Sequence, residues 1–145
     1  MNSQNNNEKP KLFTFTVPGK PQGKARARTF YNSKSDKMSS VTPEKTVLYE
    51  NLIKTCFQQK YGQKRFSDDA YVVANILAYF EPPKSISKKK REDMLTGKIW
   101  PAKKPDSDNI AKVVQDALNG IAYHDDTQIV MVVAKKVYSS LEGLD

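Results

Sequence analysis

A chain of 145 residues with a net charge of +8 fits one domain of about 100–200 residues. Its single cysteine excludes an intramolecular disulfide and any cysteine-cluster zinc or iron–sulfur site, and its single histidine, His124, excludes a multi-histidine metal site within one chain. Mean hydropathy is −0.67, yet 10% aromatic residues is too many for a chain that stays unfolded.

In chain order, the opening MNSQNNNEKP has neither a basic nor an apolar block, so a disordered tail at 1–11 is expected, and no signal peptide. The rest, 12–145, reads as one domain. Leu12 to Val17 alternates apolar residues with threonine, a strand signature that Pro18-Gly19 ends. KPQGKARARTFYNSKSDKMSS reads as a glycine-containing basic loop with no sustained period. Thr42 at the N-cap and Pro43 at the first helical position start a helix. Leu48, Tyr49, Leu52, Ile53, Cys56 and Phe57 then recur at helical spacing, with Gly62 as the stop.

Tyr71 to Phe80 (YVVANILAYF) is β-branched and aromatic, and reads as a strand covered on both faces. It is also the longest mostly apolar run and too short to span a bilayer, so a reduced, cytoplasmic setting without membrane contact is expected. Ser87 to Met94 suggests a short helix. Ile110, Val113, Val114, Ala117 and Leu118 form the apolar stripe of a second main helix, closed by Asn119-Gly120. Gln128 to Tyr138 is a final strand. The order reads as a compact α/β (α+β) fold, a small mixed sheet with two main helices.

The positive charge is local. Residues 20–37 carry a net +5 and residues 84–104 a net +6, which leaves −3 for everything else. Two basic segments of this kind point to a polyanionic partner. In KPQGKARARTF, Lys24, Arg26 and Arg28 alternate with small residues, and an extended backbone sets such residues on one side about 6–7 Å apart, close to phosphate spacing. With Lys20, and with Lys88, Lys89, Lys90, Arg91, Lys103 and Lys104 of the second segment, they are the candidate residues for binding the phosphates of that partner. Phe30, Tyr31 and Trp100 either stack on unpaired bases or anchor the loops to the core.

Four aspartates punctuate the last two elements: Asp106 and Asp108 before the second helix, Asp125 and Asp126 before the final strand. Mg²⁺ takes hard oxygen ligands, usually one or two carboxylates with waters and phosphate oxygens, and Mn²⁺ is a possible substitute. Two such ions can stabilise both the attacking and leaving oxygens of a phosphodiester displacement. Each aspartate also has an ordinary use, as helix cap or turn residue. Lys112, four residues after Asp108, either pairs with Asp108 or Asp116 or neutralises charge developing on a phosphate. His124 is either a general base or a solvated turn residue.

PDSDNIAKVVQDALNG followed by HDDTQI resembles the RusA family of Holliday-junction resolvases. The match comprises Pro105, Asp106, Asp108, Asn109 and Lys112, the helix end from Asp116 to Gly120, then Asp125, Asp126 and Gln128. FTVPGKPQGKARARTF is similar to the family's first strand and basic loop. The resemblance runs from about residue 12 to 138, although the segment from Ser85 to Trp100 does not align with it. It implies a RusA-like homodimer of bacterial or prophage origin, acting in DNA recombination and repair. The implied reaction is Mg²⁺-dependent cleavage of four-way DNA junctions. Asp106, Asp108 and Asp126 match the metal-binding catalytic carboxylates, Asp125 an auxiliary ligand and Lys112 the functional lysine. The rivals are a non-catalytic, structure-specific nucleic-acid-binding module and a flap or fork nuclease.

Overall fold

The computed structural model describes residues 11–145, so the expected tail lies, but for Lys11, outside the described residues. Ten short and long elements follow in order. They are β1 (Val17–Pro18), β2 (Arg28–Asn32), β3 (Lys37–Val41), α1 (Glu44–Tyr61), β4 (Val72–Phe80), α2 (Lys88–Leu95), α3 (Ser107–Leu118), a 3₁₀ turn (Asp126–Gln128), β5 (Ile129–Tyr138) and β6 (Gly143–Leu144). Four strands form a mixed sheet in the order β1-β6-β4-β5, while β2 and β3 form a separate hairpin. β4 and β5 run parallel, joined by the crossover that carries α2 and α3; β6 lies antiparallel between β1 and β4.

One core holds the sheet to the two long helices. Ile53 and Phe57 of α1 and Ile110, Val113 and Ala117 of α3 meet Val72, Ile76, Ala78 and Phe80 of β4, all buried. The α3 stripe therefore packs as its spacing predicts. On α1 the stripe is narrower than expected: Tyr49, Ile53 and Phe57 are buried, whereas Leu48 and Leu52 are exposed.

Several expectations need correction. Of the first predicted strand only Val17 joins the sheet, and β1 takes in Pro18, which was expected to end it. The Thr14 backbone is instead satisfied by side chains of α1, its N–H donating to Tyr61 Oη at 2.7 Å and its carbonyl accepting from Lys60 Nζ at 2.5 Å. Phe13 and Phe15 pack edge-on against Phe57, so this segment is tied to the helix rather than to a neighbouring strand. The basic loop contains the β2–β3 hairpin, which is exposed on nearly every residue. A strand with no buried face carries no hydrophobic period, so the sequence gives no sign of this hairpin. Asp36 turns the hairpin at φ 50° and accepts a hydrogen bond from the Tyr31 hydroxyl.

Helix α1 begins at Glu44, one residue later than predicted, with Pro43 rather than Thr42 at its N-cap. The Pro43 carbonyl accepts from the Thr46 and Val47 N–H groups. β4 buries one face only. Along it Val72, Ile76, Ala78 and Phe80 are buried, but Val73 and Asn75 on the other face are exposed. Strand β6, of two residues, is too short to show a period in the sequence.

Candidate active site

Helix α3 carries most of the candidate chemistry. Asp106 is its N-cap, yet its side chain makes no capping hydrogen bond; its backbone carbonyl accepts from Ile110 N–H at 3.1 Å. Asp108 lies in the first turn, and both carboxylates are exposed at the positive end of the helix dipole. Lys112 is exposed one turn on. Among the described residues it forms no ion pair with Asp108 or Asp116.

Asp116 is engaged elsewhere. Lys24 Nζ sits 2.6 Å from Glu50 of α1 and 3.1 Å from Asp116 of α3, all three side chains being mostly buried. Burial lowers the Lys24 pKa, but the bonds and charges of the two carboxylates outweigh it and leave it above the ordinary lysine value. Lys24, expected on the DNA, is instead the tie between the basic loop and both helices. Glu50 was not singled out in the sequence, since nothing local distinguishes it from other surface glutamates.

The same loop is bonded to α3 through its backbone, Lys24 N–H donating to the Asn109 carbonyl at 2.9 Å. Gly23 makes that approach possible. A Cβ there would stand 2.8 Å from Asn109 Cβ and 2.9 Å from Pro105 Cβ, atoms fixed to backbone that cannot swing aside. Gly23→Ala is therefore expected to push the loop off α3 and cost about 1–3 kcal/mol, as overpacking does. Urea denaturation checks it: an unchanged midpoint would mean the loop accommodates the methyl without strain.

The HDD segment is built by its own hydrogen bonds. Asp125 caps the 3₁₀ turn, accepting from Thr127 Oγ1 at 2.6 Å, while Gln128 Oε1 accepts from the His124 and Asp125 N–H groups. The Thr127 hydroxyl is the main cause of a lowered Asp125 pKa. Asp125 thus has the ordinary capping use, whereas Asp126 is exposed. His124 is exposed as well. Tyr123 lies behind them, buried, its hydroxyl donating to the Gln115 carbonyl at 2.5 Å. Burial first, and then the charges of Asp126, Asp116 and Asp125, raise its pKa.

These contacts place the two aspartate pairs along α3. The Asp125–Asp126 turn faces the later turns of the helix through Tyr123. The start of the helix lies beside the later half of β5, where Lys136 Nζ donates to the Lys103 and Pro105 carbonyls at 2.5 and 3.1 Å. Lys136 thereby holds the segment that delivers Asp106, a role no sequence signal announced. Among the described residues no three acidic, histidine or cysteine side chains stand together as a metal-holding group.

The basic residues lie on several elements. Lys20, Arg26 and Arg28 are exposed on the first loop and hairpin, Lys88, Lys89 and Lys90 on α2, and Lys103 and Lys104 before α3; Arg91 is half-buried. Lys103 also lies over the rings of Phe80 and Tyr138. Among the described residues, no helix is long and apolar enough to cross a membrane.

A mixed α/β scaffold that displays unpaired carboxylates together with two lysine- and arginine-rich segments suits a nuclease class of site. The comparisons agree with this class. The family model for endodeoxyribonuclease RusA matches residues 18–144, nearly the whole chain. The chain belongs to the RusA endodeoxyribonuclease family, a family of nucleases that is generally divalent-metal dependent. It is also 33% identical over 127 residues to the uncharacterized protein YqaN of Bacillus subtilis (strain 168), covering 86% of this chain and 87% of that protein.

Proposed function

We propose that residues 12–145 form one endonuclease domain that resolves four-way DNA junctions with Mg²⁺, as a homodimer, in intracellular DNA recombination and repair. The observation that carries this reading is the state of Asp106, Asp108 and Asp126: three exposed carboxylates without an ion pair, in a family of DNA nucleases and a chain of net charge +8. The donor set suits Mg²⁺ chemically, because the ion prefers hard oxygens and needs only one or two protein carboxylates beside water and phosphate. Asp106 and Asp108 at the start of α3 would hold it, joined by Asp126, which lies toward the later turns of that helix in its own chain and would therefore come from the second copy; Asp125 is auxiliary because Thr127 already bonds its carboxylate. When bound, the ion supplies an activated water and stabilises the departing oxygen.

The remaining work falls to the chain's own side chains. Lys112, unpaired beside Asp108, neutralises charge developing on the scissile phosphate. Lys20, Arg26, Arg28, Lys88, Lys89, Lys90, Arg91, Lys103 and Lys104 bind the flanking phosphates, a contribution that weakens as salt rises. Lys24 acts indirectly by holding the basic loop against α3.

A second copy is supported by β5. It is an edge strand of ten residues, and Val130, Met131, Val132 and Val133 are all at least 41% exposed, with exposed Val73 adjoining on β4. A long apolar edge of this kind is a template for pairing. Antiparallel pairing of two β5 edges about a two-fold axis sets the start of each strand, and its Asp126, alongside the partner's later half, where α3 begins. Met131→Asp with Val133→Asp is expected to lower the mass in light scattering from twice 16.4 kDa to 16.4 kDa and to abolish cleavage. A native protein already at the single-chain mass would overturn the dimer.

The function itself is tested on an immobile four-way junction, a replication fork and linear duplex, each with Mg²⁺ or EDTA. Paired nicks on opposed junction strands, only with Mg²⁺ and not on duplex, are the expected result. Preferred cutting of the fork would favour a fork nuclease, and junction binding without any cut would favour a binding module.

A further inference from the structure

Trp100 is the chain's only tryptophan and stands 53% exposed within the second basic segment. It forms a wall shared by two shallow cavities. One, of about 290 Å³, is lined by Trp100, Pro101, Ser107, Ala134, Lys135 and Lys136; the other, of about 240 Å³, runs toward Met94 and Tyr138. The first opens beside the start of α3, since Ser107 lies between Asp106 and Asp108 in the chain. Lys135 Nζ lies 5.1 Å from the indole centroid, a cation–π contact that steadies the ring and places positive charge at the cavity wall.

A large aromatic ring left half in water at the edge of a cationic cavity, next to unpaired carboxylates, suits a flat, π-faced ligand joined to a phosphate. A nucleobase has that shape and chemistry, and base–aromatic stacking tolerates any of the four bases. A base inside a duplex is already stacked on both sides and cannot reach the ring. One beside a branch point has lost a stacking partner, and its own backbone phosphate then falls toward Lys135 and the start of α3. Resting on the DNA-nuclease reading above, we infer that the Trp100 cavity is a subsite for an unpaired nucleobase next to the phosphate to be cut. The subsite makes branched DNA bind more tightly than duplex.

Because the chain has one tryptophan, its emission reports the subsite directly. The full-length protein is titrated in EDTA with a four-way junction and with duplex of equal arm length, while the anisotropy of a dye on a distal DNA end measures binding independently. Junction binding is expected to change the Trp100 emission strongly and duplex binding to leave it nearly unaltered. Trp100→Ala is expected to weaken junction binding about tenfold without affecting duplex, with Trp100→Phe restoring most of it. Unchanged emission on a bound junction overturns the subsite while leaving the nuclease reading in place, as does an equal response to duplex or an alanine variant with full junction affinity. No anisotropy change with any DNA overturns both readings.

Discussion

Asp108→Asn is expected to keep junction binding and lose cleavage. Asp108 is exposed in the first turn of α3 and forms no ion pair among the described residues, so the near-isosteric amide leaves folding almost untouched. The change forfeits only a helix-dipole interaction, about 0.3–1 kcal/mol at such a position. Binding rests on the lysines and arginines of the two basic segments, and one carboxylate fewer reduces repulsion of a polyanion. Chemistry differs. An anionic oxygen donor is removed where the reaction needs it, and metal-assisted charge stabilisation is worth several kcal/mol, so cleavage should fall by about a hundredfold or more. The two quantities are read separately, binding by anisotropy in EDTA and nicking in Mg²⁺. Equal loss of both would end the division between residues that bind and residues that cut. Lys112→Ala should likewise slow cleavage more than it weakens binding; unchanged turnover would make Lys112 a solvated side chain.

The largest effect on stability is expected at Phe57. It is 1% exposed and meets Phe13, Phe15 and Tyr61 at centroid distances of 5.4, 5.6 and 5.4 Å. Phe57→Ala should cost about 3–5 kcal/mol, a large share of the roughly 5–15 kcal/mol that holds a domain of this kind. Leu48→Ala, in the same sequence stripe but 61% exposed, should shift stability by no more than about 0.5 kcal/mol. Chemical denaturation of both variants decides it. A comparable loss at Leu48 would mean that a second copy buries that side of α1.

The contrast between Phe57 and Leu48 marks a limit of reading periodicity. A 3.6-residue repeat identifies an apolar face, but its width depends on what packs there, and the Phe13–Phe15 segment covers only part of the α1 stripe. Where one element closes over one core, as α3 does, stripe and burial nearly coincide, Val114 alone of the five stripe residues being only partly buried.

Helices α1, α2 and α3, the long strands β4 and β5 and the glycine stop at Gly62 were legible because each is governed by residues within a few positions. So were the acid-rich entrances to α3 and β5, whose compound spacing carried the family resemblance. Tertiary structure alone decided the uses of the charges. Lys24 and Arg26 look alike in KARAR, yet one ammonium lies between Glu50 and Asp116 from two helices and the other guanidinium stays in water. Asp125 and Asp126 are neighbours, yet one is taken by Thr127 and the other left exposed. Nothing within a few residues distinguishes members of these pairs. Their roles follow from partners brought close by packing, because a charge's contribution depends on the desolvation and opposite charges it meets in the folded chain.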